Sequence, residues 1–157
     1  MSTLHDVVII VHILSATLLF GTGLGTAFQM WMAHRGGDVR AIAEVSRNVV
    51  HADFLFTLPA VIIQPLTGIA LIRIDGYGFS EPWLVAAYHL YVFVGACWLP
   101  VVWIQIQARN LAQKAATDGA ALPPRYFRLM RWWFWLGGPA FSAVLAIFWL
   151  MVAKPQF

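Results

Sequence analysis

The stretch VVIIVHILSATLLFGTGLGTAFQMW, residues 7–31, decides the fold of this 157-residue chain. It holds no Asp, Glu, Lys or Arg, and it exceeds the roughly 20 apolar residues with which a helix crosses the hydrocarbon core of a bilayer. We therefore predict a membrane-spanning helix. Three further stretches are similarly apolar, at residues 49–72, 83–105 and 132–152.

The composition of the whole chain indicates the same class. It is 61% hydrophobic and 11% charged, whereas soluble domains average about 25% charged residues. Short connections between spans, and the need to satisfy every backbone polar group in lipid, predict an all-α, integral membrane antiparallel four-helix bundle. This single transmembrane domain covers residues 1–157. Cys97 is the only cysteine, which excludes an internal disulfide and a multi-cysteine metal site.

The ten lysine and arginine residues are divided unevenly between the two ends of the predicted bundle. Eight lie in the connections 33–48 and 109–131, against only Arg73 and Lys154 at the opposite end. The positive-inside rule predicts that both termini face outward, into the periplasm, for a bacterial inner-membrane protein. Because topology explains the basic residues, we expect the lipid bilayer as partner and no nucleic acid. The cluster Trp132, Trp133 and Trp135 is typical of an inner interfacial belt.

Two histidines lie inside apolar spans, where an ionisable residue marks a functional site by default. His12 is about five residues into span one, and His89 about six residues into span three. Both spans enter from the outer side, so each imidazole should lie about 8–9 Å below that interface. Two imidazoles at one depth suggest a haem iron held between them, and we predict both as metal ligands of haem b. The alternative for each is a hydrogen bond across a helix interface.

Neighbouring positions extend this candidate site. Gln64 of span two should lie at a comparable depth, and small residues on the same helical faces allow a flat macrocycle to approach closely. The predicted cofactor-binding residues are His12, His89, Ser15, Ala16, Gly23, Gln64 and Gly68.

Asp53 is another costly residue inside a span, on the same helical face as Gln64. One interpretation is a proton-transferring or substrate-facing acid. The other is an ion pair near the interface with Arg47, Arg128 or Arg131.

Short segments along most of the chain resemble the four-helix membrane proteins of the HemJ type, which are protoporphyrinogen IX oxidases. These segments are VHILS at 11–15, HR at 34–35, LTG at 66–68, PWL at 82–84, RYFRL at 125–129 and VAKP at 152–155. The chain is more similar still to a sister group of predicted integral membrane proteins. The resemblance implies a b-type haem bound by the first-span histidine, here His12.

The chain departs from the HemJ pattern at two places. HemJ proteins carry a lysine early in the third span that is important for activity, where residues 85–89 read VAAYH here. Their Leu-Pro-Arg late in span one is replaced by GTAFQ at 25–29. The missing lysine argues against porphyrinogen oxidation, whereas His89 close to its place is consistent with a second axial ligand.

Three functions follow from these observations. The first is a b-type cytochrome, with haem between spans one and three, exchanging electrons with a quinone or a redox partner protein. The second is a HemJ-like membrane oxidoreductase acting on a porphyrinogen or another lipophilic reductant. The third is a cofactor-free membrane subunit or carrier whose histidines bond across helices. Gly21 and Gly25 form a GxxxG pattern that permits close packing within the bundle or in a homo-oligomer.

Overall fold

A computed structural model describes residues 3–155, in which all regular secondary structure is helical. The helices are α1 (Thr3–Gly36), α2 (Val39–Ala52), α3 (Leu58–Ile74), α4 (Pro82–Asp118) and α5 (Pro124–Ala153). A π-helical turn, Asp53–Thr57, joins α2 to α3 without a break, so the two form one rod. The resulting four rods are each long and apolar enough to cross a membrane. The predicted all-α membrane helical bundle is confirmed.

The helices continue well beyond the apolar stretches. The connections expected at 33–48 and 109–131 are mostly helical, and within them only residues 37–38 and 119–123 are not helical. With 34 and 37 residues, α1 and α4 are about 50 and 55 Å long, against a hydrocarbon core of about 30 Å. The charged and alanine-rich segments that end the apolar runs are good helix formers, so the helices extend past the bilayer.

Local chemistry explains where the helices stop. Gly37 (φ 72°) takes a left-handed conformation directly after α1, which costs glycine little. Asp38 then caps α2, because its carboxylate accepts a hydrogen bond from the Arg40 backbone N–H at 2.8 Å. Helix α5 begins at Pro124, a first-turn position that needs no backbone N–H.

Two cores of buried side chains lie at the two ends of the bundle. Helix α1 packs against α2 and α3, while α4 packs against α2 and α5. The basic-end core, near the arginine-rich turns, includes Met30, Val49, Ile104, Ala108, Tyr126 and Met130. The terminal-end core, near the chain termini, consists of Ile72, Trp83, Leu84, Ala87 and Leu150. The middle of the bundle, between these cores, is not filled.

Candidate functional site

A cavity of about 480 Å³ occupies the middle of the bundle. All four rods contribute to its wall, which is largely built from aliphatic and aromatic side chains and glycines. The lining residues that carry polar side-chain atoms are Thr26, Asp53, Thr57, Gln64, Tyr91, Trp98, Gln105 and Trp133. Small-molecule sites in proteins have this size range and this mixture of many apolar groups and a few polar ones.

Glycines create much of the space, and phenylalanines border it. Gly23, Gly137 and Gly138 line the cavity, and a Cβ atom added at any of them would meet no atom within 4 Å. On the side where α1 faces α5, Phe20 stacks on Phe141 with ring centroids 5.0 Å apart. Side-chain rings, rather than closely packed backbones, therefore border the cavity on that side.

His12 lies beside the cavity, in a chain of hydrogen bonds between α1 and α3. The Ser15 hydroxyl donates to Gln64 Oε1. Gln64 Nε2 donates to His12 Nε2 at 3.1 Å, so His12 Nδ1 carries the proton and donates to Thr67 Oγ1 at 2.8 Å. The Thr67 hydroxyl in turn donates to the Ile63 carbonyl. Every member has a partner, and the network fits a neutral imidazole.

Gly68 belongs to this interface and not to the cavity wall. A Cβ atom at position 68 would lie 3.4 Å from His12 Cε1, at the short limit of van der Waals contact. The imidazole ring therefore packs directly against the backbone of α3 at this glycine.

His89 lies on the outer surface of α4. It is exposed, and its Nδ1 donates to the Val85 carbonyl one turn earlier at 2.8 Å. The face of α4 that lines the cavity carries Tyr91, Gly95 and Trp98, and two residues separate positions by about 200° around a helix. His89 therefore points away from the cavity.

The structure brings only part of the predicted cofactor-binding set together. Ala16, Gly23 and Gln64 line the cavity, and Ser15 is hydrogen-bonded to Gln64. His12 contacts Gln64 as the depth count predicts, but His89 is separate from both. The residues present do not fit a haem held between His12 and His89, because His89 is exposed on the face of α4 that points away from the cavity.

Three buried polar residues form the basic end of the cavity wall: Asp53, Gln105 and Trp133. Their exposures are 5%, 4% and 7%, and all three line the cavity. Asp53 Oδ1 accepts a hydrogen bond from the Thr57 hydroxyl at 3.1 Å, and the Gln105 side chain interacts with the same carboxyl group. Tyr91 lies nearer the terminal end of the cavity, and its hydroxyl donates to the Val61 carbonyl.

The proposed ion pair between Asp53 and an arginine is not formed among residues 3–155. Of the three candidate arginines, only Arg47 has an acidic neighbour within this range, Glu44 at 3.9 Å on its own helix. Asp53 instead faces the cavity, which favours its interpretation as a ligand-facing group.

The π-helical turn fixes where Asp53 and Thr57 project. Pro59 has no backbone N–H, so the carbonyl of Leu55 lacks its usual α-helical donor. The chain widens here, and the Leu58 N–H bonds to the Asp53 carbonyl five residues earlier. Single π-turns of this kind are frequent at functional sites.

Sequence reasoning missed Gln105 and Trp133. Trp133 was assigned to the interfacial belt, but only its neighbours Trp132 and Trp135 are exposed, at 64% and 75%. Gln105 lies seven residues after Trp98, on the helical face opposite to that of His89. Reading the apolar periodicity of α4 from Trp98 would have found it.

No group of three or more His, Cys, Asp or Glu side chains within residues 3–155 is arranged to hold a metal ion. A family model described as "Predicted integral membrane protein (DUF2269)" matches residues 6–155. This description agrees with the sister group of predicted integral membrane proteins to which the sequence segments pointed. No curated protein and no solved structure matches the chain.

Proposed function

The chain belongs to this family of predicted integral membrane proteins, and from that premise we propose that it binds a lipophilic small molecule within the bilayer. The observation that carries the proposal is the central cavity of about 480 Å³, walled by apolar side chains of all four rods. A few polar groups at fixed positions would orient the ligand. A ring compound with an apolar body and oxygen substituents, of the quinone class, has the matching chemistry.

We place the entrance on the side of the bundle between α1 and α5. Phe20, Phe141 and Phe148 border the cavity there, and Phe20 contacts both partner rings with centroids 5.0 and 5.5 Å apart. A change of side-chain rotamer opens such a contact without moving a backbone. A lipid-soluble molecule can thus enter sideways from the membrane.

The orientation proposed from the charges is compatible with this site. The basic end, which carries eight of the ten lysine and arginine residues, faces the cytoplasm of a bacterial inner membrane, and both termini face the periplasm. Asp53 and Gln105 then lie in the cytoplasmic half, and Asp53 is about 16 Å along its rod from Gln64.

Fluorescence titration tests the binding proposal. A short-chain 1,4-benzoquinone serves as the probe, because quinones quench indoles and Trp98 and Trp133 line the cavity. Gly23→Leu fills the cavity, while Gly21→Leu puts the same side chain on the exposed face of α1. We expect saturable quenching in the wild type and in Gly21→Leu, and affinity at least about 10-fold weaker in Gly23→Leu. Indistinguishable, non-saturating quenching of all three would contradict the proposal.

A haem b with His12 as its only histidine ligand is a second candidate. His12 is one side chain away from the cavity, because Gln64 both donates to His12 Nε2 and lines the cavity. Ligation of iron by His12 Nε2 requires that the Gln64 amide turn away from the ring. A bound haem would supply one-electron chemistry. This version of the redox hypothesis, unlike the one with two histidine ligands, does not require His89.

The absorption spectrum of the purified protein tests the second candidate. The proposal predicts a Soret band that is lost in His12→Ala, retained in His89→Ala and shifted by carbon monoxide. A protein that stays colourless after haem addition would eliminate this candidate and leave the binding of a lipophilic molecule unaffected. Loss of the band in His89→Ala as well would restore the haem between two histidines.

A further inference from the structure

We propose that Asp53, Gln105 and Trp133 recognise a hydroxyl group of the bound molecule, so that the site selects a quinol-like or phenol-like ligand over one with carbonyl or ether oxygens. This inference rests on the proposed function, because it concerns the head group of a ligand in the same cavity.

Three buried polar atoms of the cavity-lining residues have no hydrogen-bond partner. Within residues 3–155, the buried side-chain nitrogen and oxygen atoms that have no hydrogen-bond partner are Asp53 Oδ2, Gln105 Oε1 and Trp133 Nε1. All three residues are more than nine-tenths buried and line one cavity. Buried polar groups without partners are rare and costly. Three of them at one end of a cavity indicate that the partner is a ligand.

The hydrogen-bonding types of these atoms define the ligand. Gln105 Oε1 is an acceptor, and Trp133 Nε1–H is a donor only. Asp53 already accepts from the Thr57 hydroxyl at Oδ1, and Oδ2 of the same carboxylate is a second acceptor, without a partner. The missing partner must therefore both donate and accept.

A hydroxyl group meets this requirement. Its O–H donates to Asp53 or Gln105, while its oxygen accepts from the Trp133 indole. A quinone carbonyl or an ether only accepts, so it would satisfy Trp133 and leave the two acceptors unpaired. An ammonium group would satisfy the acceptors and leave Trp133 unpaired. An aromatic diol, with one hydroxyl at this end and its ring among the apolar walls, matches both parts of the cavity.

Paired probes test the inference: a short-chain alkyl hydroquinone and its dimethyl ether, titrated anaerobically into the detergent-solubilised full chain. We expect the hydroquinone to bind at least about 10-fold more tightly to the wild type. Asp53→Leu should abolish the preference while keeping affinity for the ether. Trp133→Phe should weaken the binding of both probes to the same extent, because the hydroxyl oxygen of one and the ether oxygen of the other both accept from the indole N–H.

The outcomes separate the two proposals. Equal affinity of the two probes for the wild type overturns the hydroxyl inference, and this result needs no variant to fold. If Gly23→Leu weakens both probes in that case, the lipophilic cavity stands. If neither probe saturates the wild type, the binding proposal itself fails, and the head-group inference fails with it. A preference that survives both Asp53→Leu and Gln105→Leu also overturns the inference.

Discussion

At the scale of single residues, His12 and Asp53 show two different ways of keeping a polar side chain inside a membrane bundle. His12 has both ring nitrogens engaged by Gln64 and Thr67, so its burial is offset within the protein. Asp53 has one carboxyl oxygen engaged by Thr57 and one without a partner. The first is the pattern of a structural interface, and the second is the pattern of a binding site.

Thr67→Val tests the structural role of His12. The substitution removes the acceptor of the His12 Nδ1 proton and leaves a part-buried donor unpaired, so we expect the free energy of unfolding to fall by about 1–2 kcal/mol. The measurement is denaturant unfolding in detergent. Thr17→Val is the matched control: the exposed Thr17 hydroxyl bonds only within its own helix, and its loss should change stability by less than about 0.5 kcal/mol. Equal effects would contradict the interface role.

Depth along a span was predictable for these residues, but direction around the helix was not. Counting 1.5 Å per residue placed His12 and Gln64 level, and the two side chains are in contact. The same count included His89, which faces outward. Depth depends only on local helix geometry, whereas the inward face of α4 depends on its packing against α2 and α5. A single sequence does not identify those neighbours.

At the scale of the elements, the π-helical turn Asp53–Thr57 connects backbone chemistry to the site. It inserts one residue between α2, whose apolar face packs in the basic-end core, and α3, which carries Gln64 and Thr67. The sequence signals the irregularity through Pro59. The kind of irregularity depends on how the freed carbonyl finds a donor, which is a property of the folded rod.

Pro59→Ala tests the contribution of this turn. The new N–H can bond to the Leu55 carbonyl and favour a regular α-helix, which would reorient Asp53 relative to Gln105. We expect the hydroquinone-to-ether affinity ratio to fall at least about 5-fold, corresponding to about 1 kcal/mol. Pro65→Ala, in the same rod but beyond the turn, is the control and should leave the ratio unchanged. A ratio insensitive to both substitutions would show that the turn does not position Asp53.

The spans themselves were predicted from apolar length, and the ends of the helices were not. The bilayer limits the length of an apolar run, but it does not end a helix. The helical backbone continues into the aqueous layer through residues 39–48 and 109–118, which include Arg, Lys, Glu and Ala. It is interrupted at Gly37 and Asp38, between α1 and α2, and at Gly119, after α4. Capping residues therefore predict these helix ends better than the positions of the charged residues do.

At the scale of the whole molecule, the arrangement is a bundle closed at both ends and hollow in the middle. The basic-end and terminal-end cores hold the rods together, while glycines of α1 and α5 leave the space between them. The sequence predicted that small residues face the interior of the bundle and that Gln64 lies at the same depth as His12. It did not predict that Gln105 and Trp133 line the same cavity as Asp53, because the three residues come from three separate rods.

Competitive photolabelling tests the central claim, that the cavity is the ligand site, most directly. A photoreactive short-chain quinone analogue is crosslinked to the protein, with and without excess unlabelled benzoquinone, and the labelled peptides are mapped by mass spectrometry. We expect the label removed by competition to lie on the cavity-lining residues of α4 and α5, which are Gly95, Trp98, Gly137, Gly138, Ala140 and Phe141. We also expect that label to be lost in Gly23→Leu and retained in Gly21→Leu. Label confined to outward-facing residues such as Leu99 and Trp149, and unaffected by competitor, would contradict it.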